Sequence, residues 1–205
     1  ENIKMKVKYS DLKNKRVFIT GGGSGIGGSI VEHFCEQGSE VYFVDIDLKE
    51  TKKLLNKIKK NKFRTPTFIE CNLLDINKLE KTIKNIIAKK GPIHALINNA
   101  ANDDRHTTDQ VDEKYWENRM AINLKHYFFA AKAVVKSMKK IKAGSIVNLS
   151  SVSWMLGEGD KVVYETAKSA VVGLTRSFAQ EYGKYNIRTN SVVPGSIATE
   201  RQIKH

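Results

Sequence analysis

The stretch Thr20-Gly21-Gly22-Gly23-Ser24-Gly25-Ile26-Gly27 follows an apolar run, Val17-Phe18-Ile19, and opens a segment in which Ile26, Ile30, Val31 and Phe34 recur at helical spacing. The pattern predicts a strand, a glycine turn and a helix. Glycine weakens a helix or strand interior by roughly 0.5–1 kcal/mol relative to alanine, so this many glycines do not serve a core. They open the backbone to close approach. Amide N–H groups and the positive end of a helix dipole then converge on one place, which makes an anion site.

Working outward, the next apolar run, Val41-Tyr42-Phe43-Val44, closes on Asp45, 18 residues after Gly27. A carboxylate there can accept hydrogen bonds from the two hydroxyls of an adenosine ribose, and the anion becomes a dinucleotide pyrophosphate. The residue after Asp45 is Ile46 and the variable turn residue is Ser24, so no adjacent cation awaits a 2′-phosphate. This favours NAD over NADP, with Lys49 near enough in sequence to keep NADP open.

Strands are expected at residues 16–20, 40–45, 66–71, 94–98, 145–149 and 188–193. Helices are expected at about 25–37, from Asp47 and from Asp75 onward, as one long helix at 112–138, and at 162–182. The segment between Ser151 and the last helix, which holds Trp154, reads as a loop. Asp47 with Glu50 three residues on forms a capping-box-like start. This alternation means right-handed crossovers and an α/β fold: a doubly wound, Rossmann-type parallel sheet with helices on both faces, in three α/β/α layers. Ligands then lie beyond the carboxyl ends of the strands.

The 205 residues suit a single domain. No apolar stretch approaches the ~20 residues of a membrane span, and the lysine-rich N-terminus lacks a secretory apolar region, which places the chain in the cytoplasm. Cys35 and Cys71 read as buried, unbridged thiols, and no metal-ligand set is expected. The net charge of +13 raises nucleic acid as a partner. Against it, the cations are 28 Lys and 7 Arg, and the lysines sit on outer helix faces without interleaved aromatics. The excess reads as a solvated surface that favours approach of an anionic cofactor.

Tyr164-Glu165-Thr166-Ala167-Lys168 places a phenol and an ammonium on one helical face. A phenol ionises near pH 10, and a neighbouring positive charge favours the phenolate, a general base. Such a pair alone is common on helices. Ser151, 13 residues upstream, adds a hydroxyl able to hold a substrate oxygen.

Taken together, these motifs resemble the short-chain dehydrogenase/reductase family: T-G-x-x-x-G-I-G at the glycine turn, the acidic residue ending strand two, N-N-A at Asn98 to Ala100, Asn123, Ser151, Y-x-x-x-K and Pro194-Gly195. The resemblance implies Tyr164 as acid/base and Lys168 as the charge that activates it and holds the nicotinamide ribose. Ser151 would orient the reacting oxygen, and Asn123 would support a proton relay. It further implies cofactor contacts from Gly21, Ser24, Gly25, Ile26, Gly27, Asp45, Asn72, Leu73, Ala100, Pro194, Gly195, Ile197 and Thr199, with Asn98 steadying the sheet near the adenosine. Ala101 and Asn72 depart from the family pattern without touching the catalytic set. Family members usually run to about 250 residues, so a lid segment and last strand are expected to be missing from this chain. A homotetramer is implied through the long helix and the helix carrying Tyr164.

More narrowly, Asn99 to His106, Ser151 to Trp154, Val193-Pro194-Gly195, Thr199 and Arg201-Gln202 resemble NAD-dependent sugar 1-dehydrogenases of this family. A pocket of Asn102, Asp103, Arg105, His106, Ser151, Trp154 and Tyr164 would pair with sugar hydroxyls while the indole covers a ring face. The expected reaction is oxidation of a cyclic aldose at C1. Two alternatives stand beside it: reduction or oxidation of another alcohol or ketone, as by a 3-oxoacyl reductase, and a catalytically silent NAD-binding scaffold.

Overall fold

A computed structural model describes residues 7–199. Its six strands are all parallel: β1 Arg16–Thr20, β2 Glu40–Asp45, β3 Thr67–Glu70, β4 Ala95–Asn98, β5 Gly144–Leu149 and β6 Ile187–Val192. Their spatial order is β3-β2-β1-β4-β5-β6. The helices are α1 Gly25–Glu36, α2 Leu48–Lys60, α3 Ile76–Lys90, α4 Glu113–Met120, α5 His126–Ile141, α6 Ser153–Leu156 and α7 Val162–Tyr182. The chain order reverses between β3 and β4, so the carboxyl ends of β1 and β4 flank the crevice of a doubly wound sheet.

The near-continuous apolar strands feed two cores, because successive side chains leave a strand on opposite faces. Phe18, Tyr42, Val44, Leu96 and Ile146 pack with Leu79 and Ile83 of α3, Val134 and Met138 of α5, and Phe178 of α7. Val17, Ile19, Val41, Phe43 and Ile97 pack with Val31 of α1 and with Leu54 and Ile58 of α2. On β6 the alternation is visible from outside, since Arg188, Asn190 and Val192 are exposed while Ile187 and Thr189 are buried. Cys35 and Cys71 are buried and unpaired.

Helix starts follow their caps. Asp47 accepts from the Glu50 N–H and Asp75 from the Lys78 N–H, at 3.0 and 2.8 Å. The expected capping box at Asp47 forms only in half, because the Glu50 carboxylate turns to Lys53. The expected single helix at 112–138 is interrupted: residues Ala121–Lys125 form a π-helical segment between α4 and α5. That segment widens the turn and buries Asn123. The segment holding Trp154 is the short helix α6 and not a loop, too brief for apolar periodicity to register. Among the described residues no helix is long and apolar enough to cross a membrane.

Strand register assembles the site. Thr20, Asn98 and Asn148 lie side by side across β1, β4 and β5. The glycine turn, the N-N-A segment and the Ser150-Ser151 loop therefore leave the sheet as neighbours.

Candidate active site

Gly21 takes φ +65°, and a Cβ there would sit 2.8 Å from the Ala100 Cα, so only glycine lets the turn pass beneath the end of β4. A Cβ on Gly27 would fall onto the Gly21 carbonyl oxygen. Ser24, the residue before α1, makes no side-chain cap bond, and the first turn of α1 carries no acidic residue. The first N–H groups of α1 thus lack intrahelical partners and face no built-in anion. This donor set suits a pyrophosphate.

Asp45 is anchored beside that turn. One carboxylate oxygen accepts from Gly23 N–H at 2.8 Å, and the other accepts from Ile46 and Asp47 N–H at 2.7 and 2.9 Å. Three of about four acceptor directions are occupied, and the carboxylate stays half-buried at the crevice. Leu73 is buried in the core beyond β3, while Asn72 is exposed and uses its side-chain oxygen on the Leu74 N–H.

The residues after β4 brace the turn. Thr20 Oγ1 accepts from the N–H groups of Asn99 and Ala100, at 3.0 and 3.2 Å. The Asn99 side-chain amide donates to the carbonyls of Thr20 and Gly21. With its lone pairs used, the Thr20 hydroxyl donates to Nε2 of the buried His126, 3.4 Å away. Burial and the nearby Lys168 charge push His126 down to about 3, which keeps it neutral and able to accept. Asn99 and His126 were not among the expected site residues; only the repeat Asn98-Asn99 and a histidine on an otherwise apolar helix face hinted at them. Asn98 is buried. Its amide donates to Asn148 Oδ1 and the Tyr127 carbonyl, so it braces β5 and α5.

Tyr164 and Lys168 occupy the first turns of α7. The Lys168 ammonium lies 5.5 Å from the Tyr164 ring centroid. Burial pushes Lys168 down to about 7, partly opposed by the Asp103 carboxylate. The lysine is fastened to the end of β5 twice, through its carbonyl, which accepts from Ser150 Oγ at 2.7 Å, and its ammonium, which donates to the Leu149 carbonyl at 2.7 Å. Ser151 Oγ accepts from the Ser153 hydroxyl and N–H, which leaves its own proton for a ligand.

The segment after β6 crosses this site. The Pro194 carbonyl accepts from Val152 N–H, Gly195 and Ile197 are exposed, and the Thr199 methyl lies 3.6 Å from where a Cβ on Gly25 would be. The segment therefore links the Ser151 loop to the glycine turn. Arg201 and Gln202 lie outside the described residues.

The expected sugar-facing residues divide. Asn102 is held by the buried Asn123 amide, which accepts from its N–H at 2.8 Å and donates to its carbonyl at 3.0 Å. Asn123 is thereby committed to the loop after β4. Two residues are tied to other parts of the protein. His106 is buried: its Nδ1 meets the Tyr115 hydroxyl at 2.8 Å and its Nε2 accepts from the Val163 N–H. Arg105 is exposed and pairs with Asp160. The His106 N–H also donates to the Asp160 carbonyl, so both residues staple the loop after β4 to the start of α7. The Trp154 indole N–H is buried and, among the described residues, unpartnered. Asp103 stays near the lysine it influences.

A family model described as short chain dehydrogenase matches residues 15–205. The chain is 42% identical to D-xylose 1-dehydrogenase of Caulobacter vibrioides over 196 residues, 96% of this chain and 77% of that protein. It is 40% identical to a probable galactose dehydrogenase of Rhizobium meliloti over 195 residues, 95% of this chain and 76% of that protein. The structure of Thermoplasma acidophilum aldohexose dehydrogenase matches with TM-score 0.82 and 32% identity, covering 94% of this chain and 70% of that one.

Proposed function

The chain belongs to the short-chain dehydrogenase family, and from that membership we propose that it oxidises a cyclic aldose at C1 to the aldonolactone, with NAD as hydride acceptor. The observation that carries this is the buried Lys168 ammonium 5.5 Å from the Tyr164 ring, on the same sheet edge as the glycine turn. The likeness to xylose and galactose dehydrogenases supports a sugar as the alcohol.

In the reaction, Tyr164 as phenolate takes the proton of the C1 hydroxyl while the C1–H bond breaks and C1–O becomes a carbonyl. Nicotinamide, when bound, accepts the hydride. Lys168 favours the phenolate by its charge, and the Ser151 proton orients the reacting oxygen. The N–H groups starting α1 hold the pyrophosphate, and Asp45 takes the ribose hydroxyls, which is the basis for NAD over NADP. Gly195, Ile197 and Thr199 border the cofactor, while Asp103, Asn102 and Trp154 border the sugar. Trp116 and Phe128, 38% and 42% exposed on α4 and α5, support association of copies into a homotetramer, measurable as mass by light scattering.

The test is a panel of aldoses and simple secondary alcohols with NAD and NADP, followed by absorbance of the reduced cofactor. Turnover of an aldose with NAD is expected. Turnover of apolar alcohols with no aldose oxidised overturns the sugar reading. Tyr164→Phe abolishes turnover and leaves NAD binding intact; an active Tyr164→Phe overturns the assigned base.

A further inference from the structure

Burying an ammonium is costly unless its N–H groups find acceptors. Lys168 is 1% exposed, and the end of β5 offers it one carbonyl, Leu149. Its second acceptor comes from across the core. The Tyr127 hydroxyl, on the first turn of α5, lies 2.9 Å from Lys168 Nζ. That hydroxyl also faces the Leu149 carbonyl at 3.0 Å and the Ala100 carbonyl at 3.4 Å. Carbonyls only accept, so the phenol proton goes to them and the phenol oxygen receives the lysine. The result is a closed triangle of Lys168, Tyr127 and Leu149. Two of the three ammonium donors are committed there, which leaves one for the reacting side.

We propose that Tyr127 is a positioning residue of the dehydrogenase reaction, holding the Lys168 ammonium beside Tyr164 through its hydroxyl. The proposal rests on the reading of Tyr164 and Lys168 given above. Asn123 and Tyr127, four residues apart at the junction of the π-helical segment with α5, both turn to the interior. A phenol suits the place. Burial and the neighbouring Tyr164 raise the Tyr127 hydroxyl well above its ordinary value, so it stays a neutral oxygen that supports a cation without neutralising it. A residue that only filled space would be served by phenylalanine.

The titratable and charged groups around this triangle come from three elements. Lys168 and Tyr164 face it from α7, His126 adjoins it on α5 with ring centroids 4.5 Å from Tyr127, and Asp103 acts on Lys168 from the loop after β4. The strand ends contribute the carbonyls of Ala100 and Leu149. Removing the Tyr127 hydroxyl weakens the charged lysine, which in turn supports the Tyr164 phenolate less. Since oxidation needs that phenolate, the acid limb of kcat moves to higher pH.

The experiment compares the intact protein with Tyr127→Phe, Tyr164→Phe and Lys168→Met, using the best aldose. For Tyr127→Phe, kcat is expected to fall about tenfold, roughly the worth of one hydrogen bond to a charged group. The acid limb should shift upward, while sugar KM and NAD affinity stay within about twofold. If Tyr127→Phe does not fold, 3-fluorotyrosine incorporated at position 127 keeps the ring, weakens the acceptor, and should shift the limb in the same direction. Unchanged kcat and pH profile, or a shift to lower pH, overturns the proposal. An active Tyr164→Phe instead defeats the underlying reading of the site; an inactive Tyr164→Phe beside a fully active Tyr127→Phe defeats the positioning role alone.

Discussion

Asp45 holds three backbone N–H groups in place while its side chain stays half-buried at the end of β2. The side chain thus joins turn geometry to cofactor choice. Asp45→Asn removes the charge and part of the acceptor set, and hydrogen bonds to a charged group are worth about 1.5–3 kcal/mol. Kinetics with both cofactors should show kcat/KM for NAD falling roughly 10–100-fold and that for NADP falling much less. An unchanged ratio of the two would place the ribose elsewhere. The residue's identity and position were readable from sequence because it closes an apolar run at a fixed distance from the glycines. Its bond from the Gly23 N–H was not, since that group reaches it only once β1 and β2 are paired.

At the scale of an element, the first turn of α1 holds Gly25, Gly27 and Gly28, and the roles of the last two differ. A Cβ on Gly27 would meet the Gly21 carbonyl and, at 2.5 Å, the Asn99 amide, both rigidly held. A Cβ on Gly28 would lie 3.6 Å or more from the Gly23 backbone and 3.7 Å from Leu54, ordinary contact. Gly27→Ala should therefore abolish cofactor binding, measured by titration, and lower the unfolding midpoint. Gly28→Ala should keep cofactor binding and gain up to about 1 kcal/mol from helix propensity, measured by urea unfolding. Equal behaviour of the two variants would contradict this account of the turn. The two helices that carry the remaining chemistry depart from their sequence patterns in one way each. Residues 112–138 contain no glycine or proline to mark a break, which hid the π segment. The start of α7 gave no sign that His106, 57 residues before Val163, accepts its N–H.

On the scale of the whole molecule, the fold holds two buried bases away from their ordinary protonation. His126 is fully buried and pushed from 6.5 to about 3, so the unfolded chain binds a proton there between those values and the folded chain does not. Stability is therefore lost as pH falls through that window. Lys168, pushed from 10.5 to about 7, has the unfolded chain holding the extra proton between those values, and stability is gained as pH rises from 7. Urea unfolding at pH 7 and pH 4.5 should show wild type losing roughly 2–3 kcal/mol more than His126→Gln, which keeps an acceptor for Thr20. Equal losses would mean that His126 is protonated in the fold.

The sequence by itself determined the alternation of strands and helices, the glycine turn, the acid beside it and the pairing of Tyr164 with Lys168. Each of these is a relation between residues close in the chain, written in periodicity or fixed spacing. Only the tertiary structure decided that Asn98 braces β5 and α5, that His106 and Arg105 staple a loop, and that Tyr127, 41 residues from Lys168, receives its ammonium. Those contacts join separate elements. Their partners are chosen by sheet register, by the packing of helices against the strand ends, and by the need of each buried donor to find an acceptor.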